Sequence, residues 1–163
     1  MKNKYLMPAE WSPHQRCWMA WPCREGLWDN LEETCKTYAA VAHAIRDFEP
    51  LRMLAPPHLV KQAHDFLGSD IEIIEMPIDD SWARDSGPNF VKNDDGKIAG
   101  VCFQFNAWGK KYKTYDQDAK MAERILLNAD IPIIKSNLVA EGGGICVDGE
   151  AVSYTHLTLP TKA

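Results

Sequence analysis

The chain has 163 residues and a formal net charge of −5 at pH 7, with 45% hydrophobic and 25% charged residues. This length is enough for one domain with a hydrophobic core, and the composition is that of a globular chain rather than a disordered one. The acidic balance argues against nucleic acid or an anionic membrane as a partner, because both select basic surfaces.

The first half of the chain predicts alternating strands and helices. An apolar run that Pro22 ends predicts a short buried strand at residues 16–22. A helix is predicted to begin near Leu31, where Asp29 or Asn30 can cap it, because apolar side chains then recur at helical spacing. A strand at 51–55, a helix at 58–67 that Gly68 ends, and a strand at 71–76 follow.

The second half predicts a β-hairpin and one more helix between strands. The pair Asp95-Gly96 predicts the turn between strands at 89–92 and 97–105. A helix at 116–128 and strands at 131–134 and 145–147 are predicted after it. The alternation along the whole chain indicates an α/β fold class.

A faint internal repeat joins the two halves. A strand, a helix and an Ile-x-Ile-Ile strand recur, and the two Ile-x-Ile-Ile runs begin at Ile71 and Ile131. Repeated supersecondary units predict a pseudosymmetric array or a propeller. Two units cannot close a propeller, so we expect the chain to be incomplete.

The cysteines predict a reduced, cytoplasmic protein. Their number is odd, they are scattered and no C-x-x-C pair is present, which argues against a disulfide framework and against a zinc site. The N-terminus has no apolar segment typical of a secretory signal, and no apolar run is long enough to span a bilayer. The five are Cys17, Cys23, Cys35, Cys102 and Cys146.

Two polar loops carry the candidate chemistry. The segment 79–88, Asp-Asp-Ser-Trp-Ala-Arg-Asp-Ser-Gly-Pro, follows the apolar run 71–76, and Glu141-Gly142-Gly143-Gly144 follows the apolar run 131–134. Charged side chains on loops at strand ends usually bind or react. Two carboxylates that converge near an indole suit a planar cation, because a carboxylate can accept two parallel N–H bonds from a guanidinium.

Five ordered segments resemble the N-terminal part of the agmatine deiminase family, which belongs to the guanidine-modifying superfamily with the bacterial-type peptidylarginine deiminases. The resemblance covers about residues 5–150. It implies a pentein-type five-bladed α/β propeller of ββαβ units, of which about two blades are present. The segments are Met7-Pro8-Ala9-Glu10-Trp11, Trp18-Met19-Ala20-Trp21-Pro22, Ser81-Trp82-Ala83-Arg84-Asp85-Ser86-Gly87-Pro88, Phe105-Asn106-Ala107-Trp108-Gly109 and Glu141-Gly142-Gly143-Gly144-Ile145.

The resemblance also implies roles for single residues. Asp85 is expected to bind the guanidinium, and Glu141 to bind it from another side and to assist proton transfer, so both are candidate catalytic residues. Trp82 is expected to form one wall of the binding pocket. Gly142 and Gly143 are expected to let the backbone approach the ligand. The implied reaction converts agmatine and water into N-carbamoylputrescine and ammonia in putrescine biosynthesis, with no metal or organic cofactor.

The family's nucleophilic cysteine and catalytic histidine lie in later blades, so we expect this chain alone to be inactive. The family commonly has a histidine, which is not the nucleophile, where this chain has Cys146. Residues 1–150 are predicted to be the deiminase-like part, and residues 151–163 a non-native tail, because acidic residues vanish there and the pattern ends. An oligomer is left open.

Several alternatives compete with these roles. Asp85 could instead pair with Arg84 or cap a turn, and Glu141 could be a solvated loop residue. Trp108 is predicted to be a packing residue. Asp79, Asp80 and Asp85 could in principle hold a metal, although their spacing fits no known loop. The alternative functions are a peptidylarginine deiminase of the same superfamily and a non-catalytic module that binds guanidinium or other cations.

Overall fold

A computed structural model describes residues 4–150 and the backbone of residues 153–155. The α/β class predicted from the sequence is confirmed. The strands are β1 Tyr5–Leu6, β2 Cys17–Ala20, β3 Leu51–Ala55, β4 Glu72–Glu75, β5 Asn89–Asn93, β6 Ile98–Gln104, β7 Ile133–Val139, β8 Ile145–Val147 and β9 Ser153–Thr155. The helices are α1 Leu31–Arg46, α2 Val60–Leu67, α3 Ala83–Ser86, α4 Ala107–Lys110 and α5 Met121–Asn128, and 3₁₀ turns span Pro57–Leu59, Asp118–Lys120 and Gly142–Gly144.

The first sheet contains β2, β3 and β4 in that order, all parallel, with α1 and α2 in the two connections. The helix α1 begins where the sequence predicts, because Oδ1 of Asn30 accepts a hydrogen bond from the Glu33 amide at 3.2 Å. Gly68, at φ +69°, ends α2 in a conformation that favours glycine. Trp21, Cys35 and Met53 are fully buried in the core between this sheet and its helices.

The second sheet has the order β1-β5-β6-β7. Strands β5 and β6 form the predicted antiparallel hairpin, and β7 then returns parallel to β6 after α5, so this part has the ββαβ order. The first sheet differs, because a helix lies in both of its connections. Helix α5 packs directly on β6: a Cβ added at Gly100 would lie 2.3 Å from Cδ2 of Leu126.

Strand β7 differs from the prediction of a strand at 131–134. It begins at Ile133 and runs to Val139, through residues that the sequence assigned to a polar link. The amide of Ile131 bonds instead to the carbonyl of Leu126 at 2.9 Å and completes the end of α5. Pro132 has no N–H, so it contributes only its carbonyl, which accepts from the Gly100 amide at 2.9 Å.

The predicted boundary near Glu150 lies at the end of the continuously described part. Strand β9 falls beyond it and pairs antiparallel with β8, while the rest of 151–163 is outside the described residues. The origin of that tail stays a prediction. None of the described helices is both long enough and apolar enough to cross a bilayer.

The fold places several loops at the carboxyl ends of the parallel strands. Strands β2, β3 and β4 are parallel to one another, as are β6 and β7. The loop with Trp82 and Asp85 follows the carboxyl end of β4, the loop with Trp108 follows that of β6, and the loop with Glu141 follows that of β7. Ligand sites of α/β proteins form beyond such strand ends.

Candidate functional site

The Asp85 carboxylate is held in place by two N–H donors from other loops. Its Oδ1 accepts a hydrogen bond from the backbone amide of Gly143 at 3.0 Å, and its Oδ2 accepts one from Nε1 of Trp108 at 3.2 Å. An ionised carboxylate has about four acceptor positions, two on each oxygen. One position on each oxygen therefore remains for a ligand, which is the arrangement that a bidentate guanidinium needs.

An unusual backbone segment places Trp108 on Asp85. All four residues of α4 have positive φ: Ala107 at 54°, Trp108 at 55°, Gly109 at 78° and Lys110 at 65°. Left-handed backbone costs an L-residue roughly 1–2 kcal/mol, so three non-glycine residues within one turn make this a strained segment. The side chain of Asn106 offsets part of that cost, because its Oδ1 accepts from the Gly109 amide at 2.8 Å.

Trp108 was predicted to be a packing residue, and the structure adds a polar contact to that role. Its ring makes edge-to-face contacts with Phe105, Tyr112 and Trp82 at centroid distances of 5.1, 5.9 and 6.1 Å. Its N–H at the same time donates to Asp85. The sequence signal was present in the segment 105–109, but an indole in an apolar context is usually core.

The Glu-Gly-Gly-Gly loop lies directly against α3, which carries Asp85. A Cβ at Gly142 would lie 2.3 Å from the Arg84 carbonyl oxygen, and a Cβ at Gly143 would lie 2.2 Å from Oδ1 of Asp85. Both positions therefore need glycine for this close approach. The prediction was an approach of the backbone to a ligand; what the structure describes is an approach to the loop that would hold the ligand.

Glu141 precedes this 3₁₀ turn with an extended backbone, and its carbonyl oxygen accepts from the Gly144 amide at 3.0 Å. It is half-buried, and it lies two residues before the amide that bonds to Asp85. No hydrogen bond or ion pair within the described residues engages its carboxylate. The loop that carries Glu141 thus contacts Asp85 through the Gly143 amide, and the role of Glu141 in binding a ligand stays a prediction.

Trp82 forms one side of an aromatic cluster at the same carboxyl ends of the strands. Its ring stacks on that of Trp28 at 6.0 Å with an interplanar angle of 27°, and it meets Trp108 edge to face. It remains 39% exposed, so part of its face is available to a cation. Trp28 was not predicted as a neighbour of the site.

The structure separates the groups on which two alternatives depend. Arg84 turns away from Asp85, forming an ion pair with Glu10 and donating to the Ile145 carbonyl at 3.1 Å. Asp80 pairs with Arg24 at 2.7 Å. The Asp85–Arg84 pair and the Asp79, Asp80, Asp85 metal site are therefore wrong.

Asp79 and Asp118 link the loop after β4 to the segment before α5. Oδ2 of Asp79 accepts from the Gln117 amide at 2.7 Å, and Oδ1 of Asp118 accepts from the Asp79 amide at 2.8 Å. Burial raises the pKa of Asp118 to about 7, and the neighbouring Asp79 carboxylate adds to that shift. These reciprocal hydrogen bonds give the two carboxylates a structural role, so we do not assign them to a ligand site.

Four thiols of the chain are poorly suited to nucleophilic attack. Burial raises the pKa of Cys17 to about 11 and that of Cys23 to about 12. Burial also raises the pKa values of Cys35 and Cys102. Their reactive thiolate forms are scarce at neutral pH.

Comparison with known proteins shows the family of the chain. Residues 6–159 match the model of the family described as Porphyromonas-type peptidyl-arginine deiminase. The chain belongs to this family. The match extends beyond the boundary predicted at Glu150, and it confirms the resemblance noted from the five sequence segments.

Several relatives of the chain carry the name agmatine deiminase. The chain is 42% identical over 154 residues to a putative agmatine deiminase of Legionella pneumophila (strain Philadelphia 1), covering 93% of this chain and 44% of that protein. It is 41% identical over 161 residues to the agmatine deiminase of Stutzerimonas stutzeri, covering 94% and 44%. The solved agmatine deiminase of Enterococcus faecalis superposes with a TM-score of 0.88 at 34% identity, covering 91% and 42%. The chain thus spans less than half the length of these relatives.

Proposed function

We propose that this chain supplies the guanidinium-binding half of an agmatine deiminase, which hydrolyses agmatine to N-carbamoylputrescine and ammonia for putrescine biosynthesis. The observation that carries the proposal is the Asp85 carboxylate, held by Gly143 and Trp108 with one acceptor position free on each oxygen. The names of the relatives support agmatine as the substrate.

Asp85 and Glu141 would have different roles in binding the cation. Two parallel N–H···O bonds to Asp85 would fix the plane of the guanidinium, and Trp82 would cover part of its face. Glu141 would engage it from another side and assist proton transfer during the reaction. Gly142 and Gly143 would keep the two acidic groups close together.

Binding alone does not break the C–N bond. The guanidinium carbon is deactivated by resonance and needs a strong, aligned nucleophile, which the family provides as a cysteine thiolate assisted by a histidine. Burial raises the pKa of four of the chain's thiols, which makes their thiolate forms scarcer. We therefore propose that these two groups come from sequence outside this chain, and that this chain without them binds agmatine but does not turn it over.

The remaining properties follow from the same account. The scattered cysteines support a cytoplasmic protein, and the acidic charge supports a small cationic substrate rather than nucleic acid or a membrane. No metal or organic cofactor is proposed for this reaction.

The test is isothermal titration of the purified chain with agmatine. The Asp85→Asn variant keeps the shape of the side chain but removes the charge, so it should lose detectable binding while its thermal unfolding is unchanged. Asp65→Asn is the matched control, because Asp65 is an exposed residue of α2 and lies outside the loops that form the candidate site. Equal affinity of the two variants would contradict the assignment of Asp85.

The same titration separates the alternative functions. Tighter binding of a peptide with an internal arginine than of agmatine would favour a peptidylarginine deiminase, the activity that the family description names. Saturable agmatine binding by this chain, with no turnover even when a longer sequence supplies the missing half, would favour a non-catalytic binding module.

A further inference from the structure

A second cluster of reactive side chains lies at the amino ends of the strands of the first sheet. His14 and Cys17 come from the entry to β2, and Glu49 comes from the loop that leads into β3. Cys17 begins its strand directly beside Leu51, and its amide bonds to the Pro50 carbonyl at 2.9 Å. The cluster is thus set by the register at the amino ends of two parallel strands, whereas the guanidinium site lies beyond their carboxyl ends.

The three side chains converge on a common point. Nε2 of His14 lies 2.9 Å from Oε1 of Glu49, Sγ of Cys17 lies 3.2 Å from the same oxygen, and Sγ lies 3.8 Å from Nε2. Bond lengths of about 2.0–2.3 Å to a tetrahedral Zn²⁺ place neighbouring ligand atoms about 3.3–3.6 Å apart. Small side-chain rotations therefore suffice to seat an ion among the three atoms.

The orientation of His14 is also that of a metal ligand. Its Nδ1 donates to the Ser12 carbonyl at 3.0 Å, which leaves Nε2 directed at Glu49 and Cys17. Histidines that ligate metals usually donate their other ring N–H to a backbone carbonyl or carboxylate in this manner. Among the residues that the structure describes, these three are the one group of His, Cys and carboxylate atoms close enough to share an ion.

We propose that His14, Cys17 and Glu49 bind one Zn²⁺ ion, which fastens the segment before β2 to the loop before β3. A thiolate and an imidazole select zinc over magnesium or calcium, which prefer oxygen ligands. The fourth position is open to water, because the His14 side chain is 50% exposed. The sequence argued against a zinc site because it offers no C-x-x-C pair; the signal was missed because Glu49 joins the other two only through the fold.

Binding exchanges a proton for the ion. Without a cation, the Cys17 thiol donates to Oε1 of Glu49, and burial followed by this bond raises its pKa to about 11. On coordination the S–H bond breaks, the proton passes to solvent and an S–Zn bond forms, with no change of oxidation state. The Glu49 oxygen that accepted the hydrogen bond from the thiol then faces the metal.

The experiment uses Co²⁺ as a spectroscopic probe for the zinc position in the purified chain, with ordered tryptophans verified by near-ultraviolet circular dichroism. Co²⁺ should produce a thiolate-to-cobalt charge-transfer absorption that saturates at one equivalent and disappears when Zn²⁺ is added. Cys17→Ser should remove this absorption, whereas Cys146→Ser should retain it, since Cys146 is exposed on β8 and is not one of the three clustered residues. Glu49→Gln and His14→Ala should each weaken Co²⁺ binding at least tenfold.

Zn²⁺ should also raise the unfolding temperature of the wild-type chain but not that of Cys17→Ser, because a ligand that binds only the folded state stabilises it. The proposal is overturned if no charge-transfer absorption appears. It is equally overturned if the absorption persists in Cys17→Ser, or if Glu49→Gln leaves the affinity unchanged.

Discussion

A methyl group at Gly143 should disrupt guanidinium binding, whereas the same group at the next residue should not. A Cβ at Gly143 would lie 2.2 Å from Oδ1 of Asp85, and ordinary contact begins near 3.4 Å, so the carboxylate must move by about 1.2 Å. That displacement would also break its bonds to the Gly143 amide and to Trp108. A Cβ at Gly144 would meet nothing within 4 Å.

The size of the effect follows from these two hydrogen bonds to Asp85. Hydrogen bonds to a charged group contribute about 1.5–3 kcal/mol each, and the half-buried position of Asp85 places both bonds at the low end of that range. A loss of about 1.5–3 kcal/mol corresponds to an increase of about 10- to 150-fold in Kd. Gly143 and Gly144 both have negative φ, so alanine introduces no backbone strain of the left-handed kind at either position.

The assay is isothermal titration of agmatine into the Gly143→Ala and Gly144→Ala variants of this chain. Gly144→Ala should bind within about twofold of the wild type, and both variants should unfold at similar temperatures, because the displaced group is a half-buried loop carboxylate rather than part of the core. Equal agmatine affinity of the two variants would refute the claim that this approach positions Asp85.

Three further outcomes are expected. Trp108→Phe keeps an aromatic ring but removes the N–H that bonds to Asp85, so agmatine affinity should fall several-fold in titration calorimetry while the unfolding temperature changes little; unchanged affinity would show that the bond is idle. Asp118 has a folded-state pKa raised from 3.8 to about 7, so the folded state binds more protons than the unfolded state between these values, and its stability contribution is lost as pH rises through about 7. Urea unfolding of the wild type should therefore show a steeper fall in stability between pH 4 and 7 than unfolding of Asp118→Asn, and parallel curves would contradict it. The purified chain should release no ammonia from agmatine. If it does release ammonia, and if the Cys146→Ser substitution abolishes that release, the nucleophile lies within this chain.

The parts of the fold that the sequence predicted well depend on local chemistry. The helix α1 begins at the predicted cap because the Asn30 side chain bonds to the first turn. The β5–β6 hairpin forms where an Asp-Gly pair is placed, with Gly96 at φ +79°. Such features are decided within a few residues and can be read without knowledge of the rest of the chain.

The parts that the sequence missed depend on contacts between distant segments. The left-handed turn of α4 contains only one glycine, so composition alone does not indicate it; its conformation persists because Trp108 is fixed by Asp85 and by surrounding rings. Strand β7 extends to Val139 because β6 offers a partner there, with Gln104 opposite Val139. Tertiary pairing of this kind overrides local pattern.

For the candidate site, the sequence could indicate only the two loops and their acidic residues, whose role in binding stays a prediction. Asp85 and Glu141 were identified from their loops and from the family resemblance, and the structure places these loops in contact through the Gly143 amide. The contribution of Trp108 and Trp28 could not be derived, because an apolar ring in sequence does not reveal which neighbour its edge or N–H will meet.

A crystal structure of this chain grown with agmatine tests the central claim most directly. The account predicts that the guanidinium nitrogens lie within hydrogen-bond distance of both Asp85 oxygens, with Glu141 on a second side and the indole of Trp82 against the plane of the cation. Agmatine bound through its primary ammonium to Asp85, or bound elsewhere on the described surface with Asp85 unoccupied, would contradict it.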